Sequence, residues 1–153
     1  MSNPIDYLFL EDLFIARIKD TVPGLKTVDG LPDLQAVTDE ADAAPAAYVI
    51  YLGESTPSGP SNQGGEKKVQ LVKQYWAVVL TVYTADPNGR GTAARKEAGP
   101  LLGKLINSLT GWEPANGVSK LTRAPKQAPA QYTNSLLMFP LIFTTDFVYP
   151  RIK

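Results

Sequence analysis

The side chains that most often carry catalysis and metal binding are missing from this chain. Its 153 residues include no histidine and no cysteine. This excludes imidazole general bases, Ser-His-Asp and Cys-His nucleophiles, zinc sites with nitrogen and sulfur ligands, disulfides and thiol redox chemistry. An enzyme with this sequence would depend on carboxylates, lysines, tyrosines or backbone groups. We therefore expect a non-enzyme that carries no cofactor and no metal.

Two glycine- and lysine-containing runs and one acidic run are the remaining candidates for chemistry. The runs at 64–68 and 99–104 look faintly like phosphate loops, but neither has the GxxxxGK[ST] spacing. Asp39, Glu40 and Asp42 could bind a cation, yet they lack the spacing of a calcium loop. We interpret this acidic run as a solvated loop. A small-ligand-binding domain, or an enzyme that works through Asp and Tyr residues, is an alternative hypothesis.

Charge is balanced over the whole chain but is distributed unevenly along it. The formal net charge is +0, which argues against a dedicated nucleic-acid binder. Residues 1–45 contain nine acids and three bases, for a net −6, and the rest of the chain contains twelve bases and six acids, for +6. This asymmetry suits a subunit that meets a copy of itself, acidic surface against basic surface. The alternative is solvated charge that cancels once the chain folds.

The composition is that of a globular protein. Hydrophobic residues make up 44% of the chain and charged residues 20%, and the length suits one core, so we expect a single domain over 1–153. Asp6, Glu11 and Asp12 interrupt the most apolar N-terminal stretch, which also lacks the features of a secretory signal. We therefore expect a protein that stays in the cytoplasm where it is made, without a membrane span.

A first amphipathic helix is predicted near the start of the chain. Asn3 can cap it and Pro4 suits its first turn, and it should end near Asp20 because Pro23 and Gly24 follow. Its predicted apolar face consists of Ile5, Leu8, Phe9, Leu13 and Ala16, widened by Leu10, Phe14 and Ile18. Such a broad face predicts packing against a sheet.

A second amphipathic helix is predicted from a Thr92 cap to the residue before Gly111, with Gly99 and Pro100 as a kink or a late start. Its apolar face consists of Ala94, Ala98, Leu101, Leu102, Leu105 and Leu109. Gly111 can adopt the left-handed conformation that ends a helix, and Trp112 can fold back onto the last turn. Pro114 prevents a restart. We interpret these residues as structural markers that pack rather than bind a ligand.

Strand patterns occupy most of the remaining chain. Residues 25–28 predict a short strand that Asp29 and Gly30 close as a turn, and 31–44 predict a short helix or a wandering loop. Residues 46–52 are apolar on both faces, which is typical of a central strand. The segments 118–123 and 132–149 predict a short and a long final strand. Alternate residues of the long strand form one apolar face: Leu137, Phe139, Leu141, Phe143, Phe147 and Tyr149. Pro140, in the middle of this strand, requires an edge position or a bulge.

The segment at about 53–66 predicts a flexible loop between two strands, because it is rich in glycine, proline and serine. The strand that follows, 67–84, alternates at first and then becomes apolar on both faces around Trp76, which we expect in the core. Together the two strands predict a projecting β-hairpin. The predicted fold is therefore α+β, with a mostly antiparallel sheet, two main helices packed on one face and this hairpin.

Four blocks of the sequence carry a resemblance to a known family. They are 76–82 in the long strand, 98–102 at the apolar face of the second helix, 109–114 at its end, and 132–147 in the final strand. With the N-terminal helix and the hairpin before them, they resemble phage tail terminator and related minor tail proteins, including those encoded by Mu-like prophages. The resemblance covers nearly the whole chain.

This resemblance implies a structural protein that forms a ring, commonly a hexamer, on the last ring of the tail tube. Such a ring stops tube polymerisation and presents the surface that joins the head. The implied partners are copies of the chain, the tail tube protein and a head-completion or connector protein, at the head-proximal end of the virion tail after assembly in the host cytoplasm. A head–tail connector or tail-completion protein without capping activity is the alternative.

Charged residues of the hairpin and its flanks are the expected oligomer or tube contacts. They are Asp39, Glu40, Asp42, Glu54, Glu66, Lys67, Lys68, Lys73, Arg90 and Arg95. Lys67, Lys68 and Lys73 could instead touch nucleic acid or protect a strand edge from aggregation. We expect no sequence-specific nucleic-acid binding.

Overall fold

The structure is a computed structural model that describes residues 5–56, 70–84, 91–133 and 135–150. The elements, in chain order, are α1 (Leu10–Thr21), β1 (Thr27–Gly30), α2 (Leu34–Val37), a 3-10 turn (Ala41–Ala43), β2 (Ala46–Ser55), β3 (Gln70–Tyr83), α3 (Thr92–Leu109), β4 (Thr122–Arg123), β5 (Gln131–Thr133) and β6 (Leu136–Tyr149). The predicted α+β fold with a mostly antiparallel sheet is confirmed.

The six strands form one mixed sheet. Its order is β1-β2-β3-β6-β4, and β5 also pairs with β6. Only β1 and β2 are parallel among the described pairs, and the other pairs are antiparallel. The long strands β3 and β6 pair along their whole length, from Gln70 opposite Tyr149 to Tyr83 opposite Leu136. The predicted central position of β2 is confirmed, because it lies between β1 and β3 with residues 46–50 buried.

Both long helices pack on one face of the sheet, as predicted. The helix α3 contributes residues spaced three or four apart, so they form one stripe: Ala94, Ala98, Leu101, Leu105 and Leu109, all buried. On the sheet side, Trp76 is 0% exposed and its ring lies 5.6 Å from that of Phe14 of α1. The Trp76 indole N–H donates to Gln74 Oε1 at 2.9 Å, which satisfies the buried donor.

A smaller core lies on the opposite face. Val37 of α2 is fully buried there, and Leu31 and Leu34 pack partly buried around it. The sheet residues beneath are Ala46, Tyr48, Ile50, Ala77, Val79, Leu136 and Met138. The predicted short helix or loop at 31–44 is thus a short helix followed by a 3-10 turn. It covers only the part of this face formed by the seven sheet residues just given.

The start and the buried face of α1 differ from the prediction. Asn3 and Pro4 lie outside the described residues, and the helix begins at Leu10. Its buried residues are Leu10, Phe14 and Ile18, whereas Ile5 is 65% and Leu8 45% exposed and Ala16 is also exposed. The predicted end near Asp20 is confirmed, since the helix ends at Thr21.

Contacts to distant residues explain the late start. Gln74 Nε2 donates to the Tyr7 carbonyl oxygen at 2.9 Å, and Tyr149 Oη donates to the Ile5 carbonyl oxygen at 2.9 Å. These carbonyl groups would be the acceptors of a helix that began at residue 4. Because the sheet takes them instead, residues 7–9 form turns and the regular helix begins only at Leu10.

The predicted turn after β1 and the predicted cap of α3 are both wrong. Asp29 and Gly30 belong to β1, which pairs in parallel with β2, and do not form a turn. Gly30 instead packs closely against α1, since a Cβ there would lie 2.8 Å from the Glu11 carboxyl group, which would have to move aside. Thr92 is not the cap of α3 but its first residue, and Gly91 is the N-cap with φ 61°.

The predicted single strand at 132–149 is two strands joined by a tight turn. Ser135 has a φ of 68°, so the chain reverses and β5 pairs antiparallel with the first residues of β6. The predicted alternation along β6 is confirmed, with Leu137, Leu141, Phe143 and Phe147 buried in the helix-side core. The short strand β4, Thr122–Arg123, is only the end of the strand predicted at 118–123.

Pro140 occupies a locally open edge of β6, as predicted. Ile142 directs its backbone groups away from β3, because its carbonyl oxygen accepts from the Ala124 N–H at 2.9 Å. Backbone groups alternate along a strand, so those of Pro140 point the same way. On that side of β6, β5 pairs up to Met138 and β4 pairs from Phe143, so neither strand pairs with Pro140. The missing N–H therefore costs no ladder hydrogen bond.

Candidate interaction surfaces

Three of the predicted interface acids are brought together on one surface. Asp39, Glu40 and Asp42 are exposed on the segment between α2 and β2. Asp29 and Asp33 are exposed on the same stretch. Residues 29–42 contain these five acids and no base, and we call them the acidic segment. It begins on β1, at one edge of the sheet.

The acidic segment is held in place from several sides. The Asp33 carboxylate accepts from the Ala36 N–H at 2.9 Å and so caps α2. Lys26 Nζ donates to the Asp42 carbonyl oxygen at 2.7 Å. With Val37 fully buried beneath it, the segment presents its acids from a fixed backbone.

A basic surface surrounds β4 at the other edge of the sheet. Lys120, Arg123 and Lys126 are exposed there. Residues 119–127 contain these three bases and no acid, and we call them the basic flank. None of the three was among the predicted interface residues. The absence of acids over nine residues is the sequence signal that could have identified them.

An apolar groove of about 410 Å³ lies beside the basic flank. It is lined by Leu52, Tyr75, Ala124, Pro125, Lys126 and Ile142. Leu52, Tyr75 and Ile142 belong to the adjacent strands β2, β3 and β6, so they form the floor, and residues 124–126 form one wall. Leu52 is 45% exposed. The groove floor is not among the sheet residues that pack under α2 and the 3-10 turn, so it is left uncovered. We call this site the open groove.

A second concavity of about 330 Å³ lies farther along β3 and contains a predicted interface residue. Its lining residues are Ser55, Thr56, Leu71, Lys73 and Asp146. Lys73 is exposed and stands directly opposite Asp146 in the β3–β6 register. Opposite charges at such a pair attract, so part of the Lys73 charge is offset within the chain itself.

Glu54 ties the end of β2 to the N-terminal segment. Its carboxylate accepts hydrogen bonds from the Tyr7 and Tyr51 hydroxyl groups. Burial, followed by the hydrogen bond to Glu54, raises the pKa of both tyrosines. The structure therefore gives Glu54 an internal structural contact as well as an exposed position.

Arg95 is exposed on the first turns of α3. Its guanidinium donates to the Tyr132 hydroxyl and to Thr92 Oγ1, both at 3.4 Å. These contacts place it near the β5–β6 hairpin, away from the acidic segment. Four other predicted interface residues lie outside the described residues: Glu66, Lys67, Lys68 and Arg90. The same holds for most of the predicted flexible loop.

The four structural markers take packing positions. Trp76 is in the core, and Gly111 has a φ of 80° just after α3 and donates its N–H to the Leu121 carbonyl oxygen at 2.8 Å. Trp112 lies against Phe14, with ring centroids 6.0 Å apart, and the Arg17 guanidinium lies 5.5 Å from its ring centroid. The half-buried residue Pro114 follows.

Arg17 also stabilises the end of α3. Its Nε donates to the Ser108 carbonyl oxygen at 3.1 Å, in the last turn of the helix, where carbonyl groups lack helical partners. A cation there interacts favourably with the helix dipole. The helix end is thus a joint between α1 and α3.

The described residues contain neither a candidate metal cluster nor a helix that could span a membrane. Within 5–56, 70–84, 91–133 and 135–150, no three His, Cys, Asp or Glu side chains are grouped so that they could hold a metal ion. No helix in these ranges is both long and apolar enough to cross a membrane. What the surface does offer is an acidic segment, a basic flank and an apolar groove, which are features of a docking protein.

Comparison with known proteins agrees with this description. A family model described as phage tail terminator protein matches residues 1–153, the full length of the chain. No curated protein matches it. The resemblance predicted from the four sequence blocks is confirmed, and the chain belongs to the phage tail terminator family, a family of structural proteins of the phage tail.

Proposed function

We propose that this protein caps the phage tail tube as a homo-oligomeric ring, which ends tube polymerisation and forms the surface that joins the head. Family membership supports the tail role. The positions of the acidic segment and the basic flank, at different edges of one sheet, carry the ring part of the proposal. Two different surfaces that bind each other repeat from copy to copy, and such a head-to-tail contact gives a closed ring when its rotation closes.

The proposed partners are further copies of the chain, the tail tube protein and a head-completion or connector protein. Six subunits is the number that the family resemblance implies, and the Mu-like prophage type is the proposed subgroup. The whole chain acts as one docking domain at the head-proximal end of the tail, assembled in the host cytoplasm. Asp39, Glu40 and Asp42 are assigned to the contact between subunits, and Lys73 and Arg95 to contacts with the tube or a neighbour.

The mechanism requires binding alone. One face of the ring presents a surface that matches the end of the growing tube, and the opposite face does not present the surface that the next tube ring needs. Polymerisation then stops without a covalent step, and no catalytic residue, cofactor, membrane or sequence-specific nucleic acid is assigned.

Mixing the purified protein with polymerising tube subunits tests the capping function. We expect shorter tubes with extra density at one end in electron micrographs, and native mass measurement of the end-bound material should give the number of subunits. Unchanged tube lengths without end-bound rings would contradict capping. Binding to the portal-side adaptor, with none to tube ends, would instead indicate a connector or tail-completion protein.

A further inference from the structure

We propose that the acidic segment of one copy docks into the open groove of the next copy, against the basic flank. The inference rests on the proposed ring and identifies the surfaces that would form it. The occupant is a second copy of this chain.

The open groove combines an apolar floor with one lysine at its rim. Leu52, Tyr75 and Ile142 lie side by side on three adjacent strands, and Lys126 lines the same groove. Lys120 and Arg123 are exposed close by in the chain, and Arg123, opposite Phe143 in the β4–β6 register, lies on the helix side of this sheet edge. A surface of this kind favours a partner that presents apolar side chains among carboxylates, because the apolar part gains from leaving water and the rim attracts negative charge.

The acidic segment has the matching composition. Its five acids are exposed, and between Asp29 and Asp39 it carries the half-buried Leu31 and Leu34 and the exposed Pro32. Its backbone is pinned by the buried Val37, so docking would require little ordering of the segment. Preorganisation of this kind lowers the entropic cost of association.

The two surfaces belong to different copies. The acidic segment begins on β1 and the basic flank surrounds β4, and three strands separate β1 from β4 in the sheet. The buried Val37 and the Asp33 cap of α2 hold the acidic segment where it lies on its own sheet, so we assign the contact to two different copies. Contact between them is therefore head-to-tail, which is the arrangement that propagates around a ring.

Charge reversal tests the proposal. The double variant Arg123→Glu/Lys126→Glu changes the formal charge of the basic flank from +3 to −1, and Asp39→Lys/Glu40→Lys changes that of the acidic segment from −5 to −1. We expect each variant alone to associate at least about tenfold more weakly than the wild type in sedimentation experiments, and an equimolar mixture to recover heterodimers through the two unreversed surfaces. The matched control is Lys96→Glu/Lys104→Glu, two exposed lysines of α3, which should associate like the wild type.

Thiol crosslinking detects the contact even if it is weak, or if the ring assembles only on the end of a tube. The chain has no cysteine, so Lys126→Cys and Asp39→Cys proteins can be mixed, with and without tubes, and joined by a flexible bifunctional maleimide. We expect crosslinked heterodimers in large excess over those formed when Lys104→Cys replaces Lys126→Cys. Equal yields, or reversed variants that associate like the wild type, would overturn the proposal.

The same proteins separate this inference from the proposed function. If the wild type caps tubes but the heterodimer yield equals that of the control, the groove contact is wrong and capping stands. If the crosslink forms and charge reversal behaves as expected, but tube ends remain unbound, the contact stands and the capping function is wrong.

Discussion

Gly91 occupies a position where the fold leaves room for a hydrogen atom only. Its φ of 61° is left-handed, and a Cβ at this position would overlap the hydroxyl group of Tyr132. The replacement Gly91→Ala should therefore lower the free energy of unfolding by about 1–3 kcal/mol, from backbone strain and displacement of that side chain.

Urea unfolding measures this change, and Gly103 provides the matched control. It is exposed inside α3, and a Cβ there would meet nothing within 4 Å. Because alanine is the better helix former, Gly103→Ala should raise stability by about 0.5–1 kcal/mol. A similar effect of both replacements would show that the N-cap geometry of α3 is not the cause.

Glu11 gives a pH dependence with a defined sign. Burial, followed by repulsion from Asp12, Asp29 and Asp6, raises the pKa of its carboxyl group above the usual value. The folded chain thus holds this proton more tightly than the unfolded chain. The stability linked to this proton is fully present below the unfolded pKa and is lost as pH rises through the folded pKa.

Replacing Glu11 with glutamine removes this loss. We expect Glu11→Gln to melt at a higher temperature than the wild type at about pH 7, and the difference to vanish below about pH 4, where the wild-type carboxyl is protonated. Thermal unfolding at several pH values measures it, with Glu97→Gln on the exposed face of α3 as control. A difference that persists at low pH would contradict the linkage.

At the scale of elements, one side chain completes the edge of β6. Gln127 Nε2 donates to the carbonyl oxygens of Ala124 and Ile142, both at 2.9 Å, and its Oε1 accepts from the Ile142 N–H at 3.0 Å. The amide thus acts like a strand residue between β5 and β4. It also fixes residues 124–126, the wall of the open groove.

The replacement Gln127→Ala should leave the Ile142 N–H without its partner and cost about 1–3 kcal/mol of stability. Amide hydrogen exchange locates the effect. The exchange rate of the Ile142 amide should rise strongly, whereas the exchange rates of the core amides of β3 should change only as much as the global stability changes. Gln131→Ala, at an exposed position of β5, is the control. Unchanged protection at Ile142 would refute the role of the side chain.

The sequence predicts elements well where the signal is local. The stripe of α3 and its end at Gly111 follow from spacing and from one backbone conformation, and both are confirmed. The start of α1 could not be predicted, because Gln74 and Tyr149, more than 60 residues away, take the carbonyl groups of Tyr7 and Ile5. The parallel pairing of β1 also depends on a distant strand, so the Asp29 and Gly30 pattern was misinterpreted as a turn.

The candidate surfaces show the same limit. The acids at 39–42 are predicted interface residues because they flank the hairpin and belong to the acidic first part of the chain. Their proposed counterpart, the basic flank, is recognisable in the sequence as nine residues without an acid, but its place at the far edge of the sheet depends on the pairing of β4 with β6. The open groove needs even more, since its floor comes from Leu52, Tyr75 and Ile142, residues that pairing alone brings together.

At the scale of the whole molecule, the formal net charge of +0 means that no overall attraction or repulsion acts between copies. Any salt dependence of self-association therefore reports where the charges are placed. Raising NaCl from about 50 mM to about 500 mM reduces the Debye length from above roughly 10 Å to below roughly 5 Å, which screens exposed charges. If the acidic segment meets the basic flank, association should weaken roughly tenfold over this range.

The charge-reversed protein Arg123→Glu/Lys126→Glu should respond with the opposite sign. Its two docking surfaces are both acidic, so added salt screens a repulsion, and its weak association should strengthen. Sedimentation of both proteins over the same salt series makes the comparison. An apolar contact alone would give both proteins the same trend, because burial of Leu52, Tyr75 and Ile142 is common to them. Opposite slopes therefore require the charged surfaces to face each other between copies.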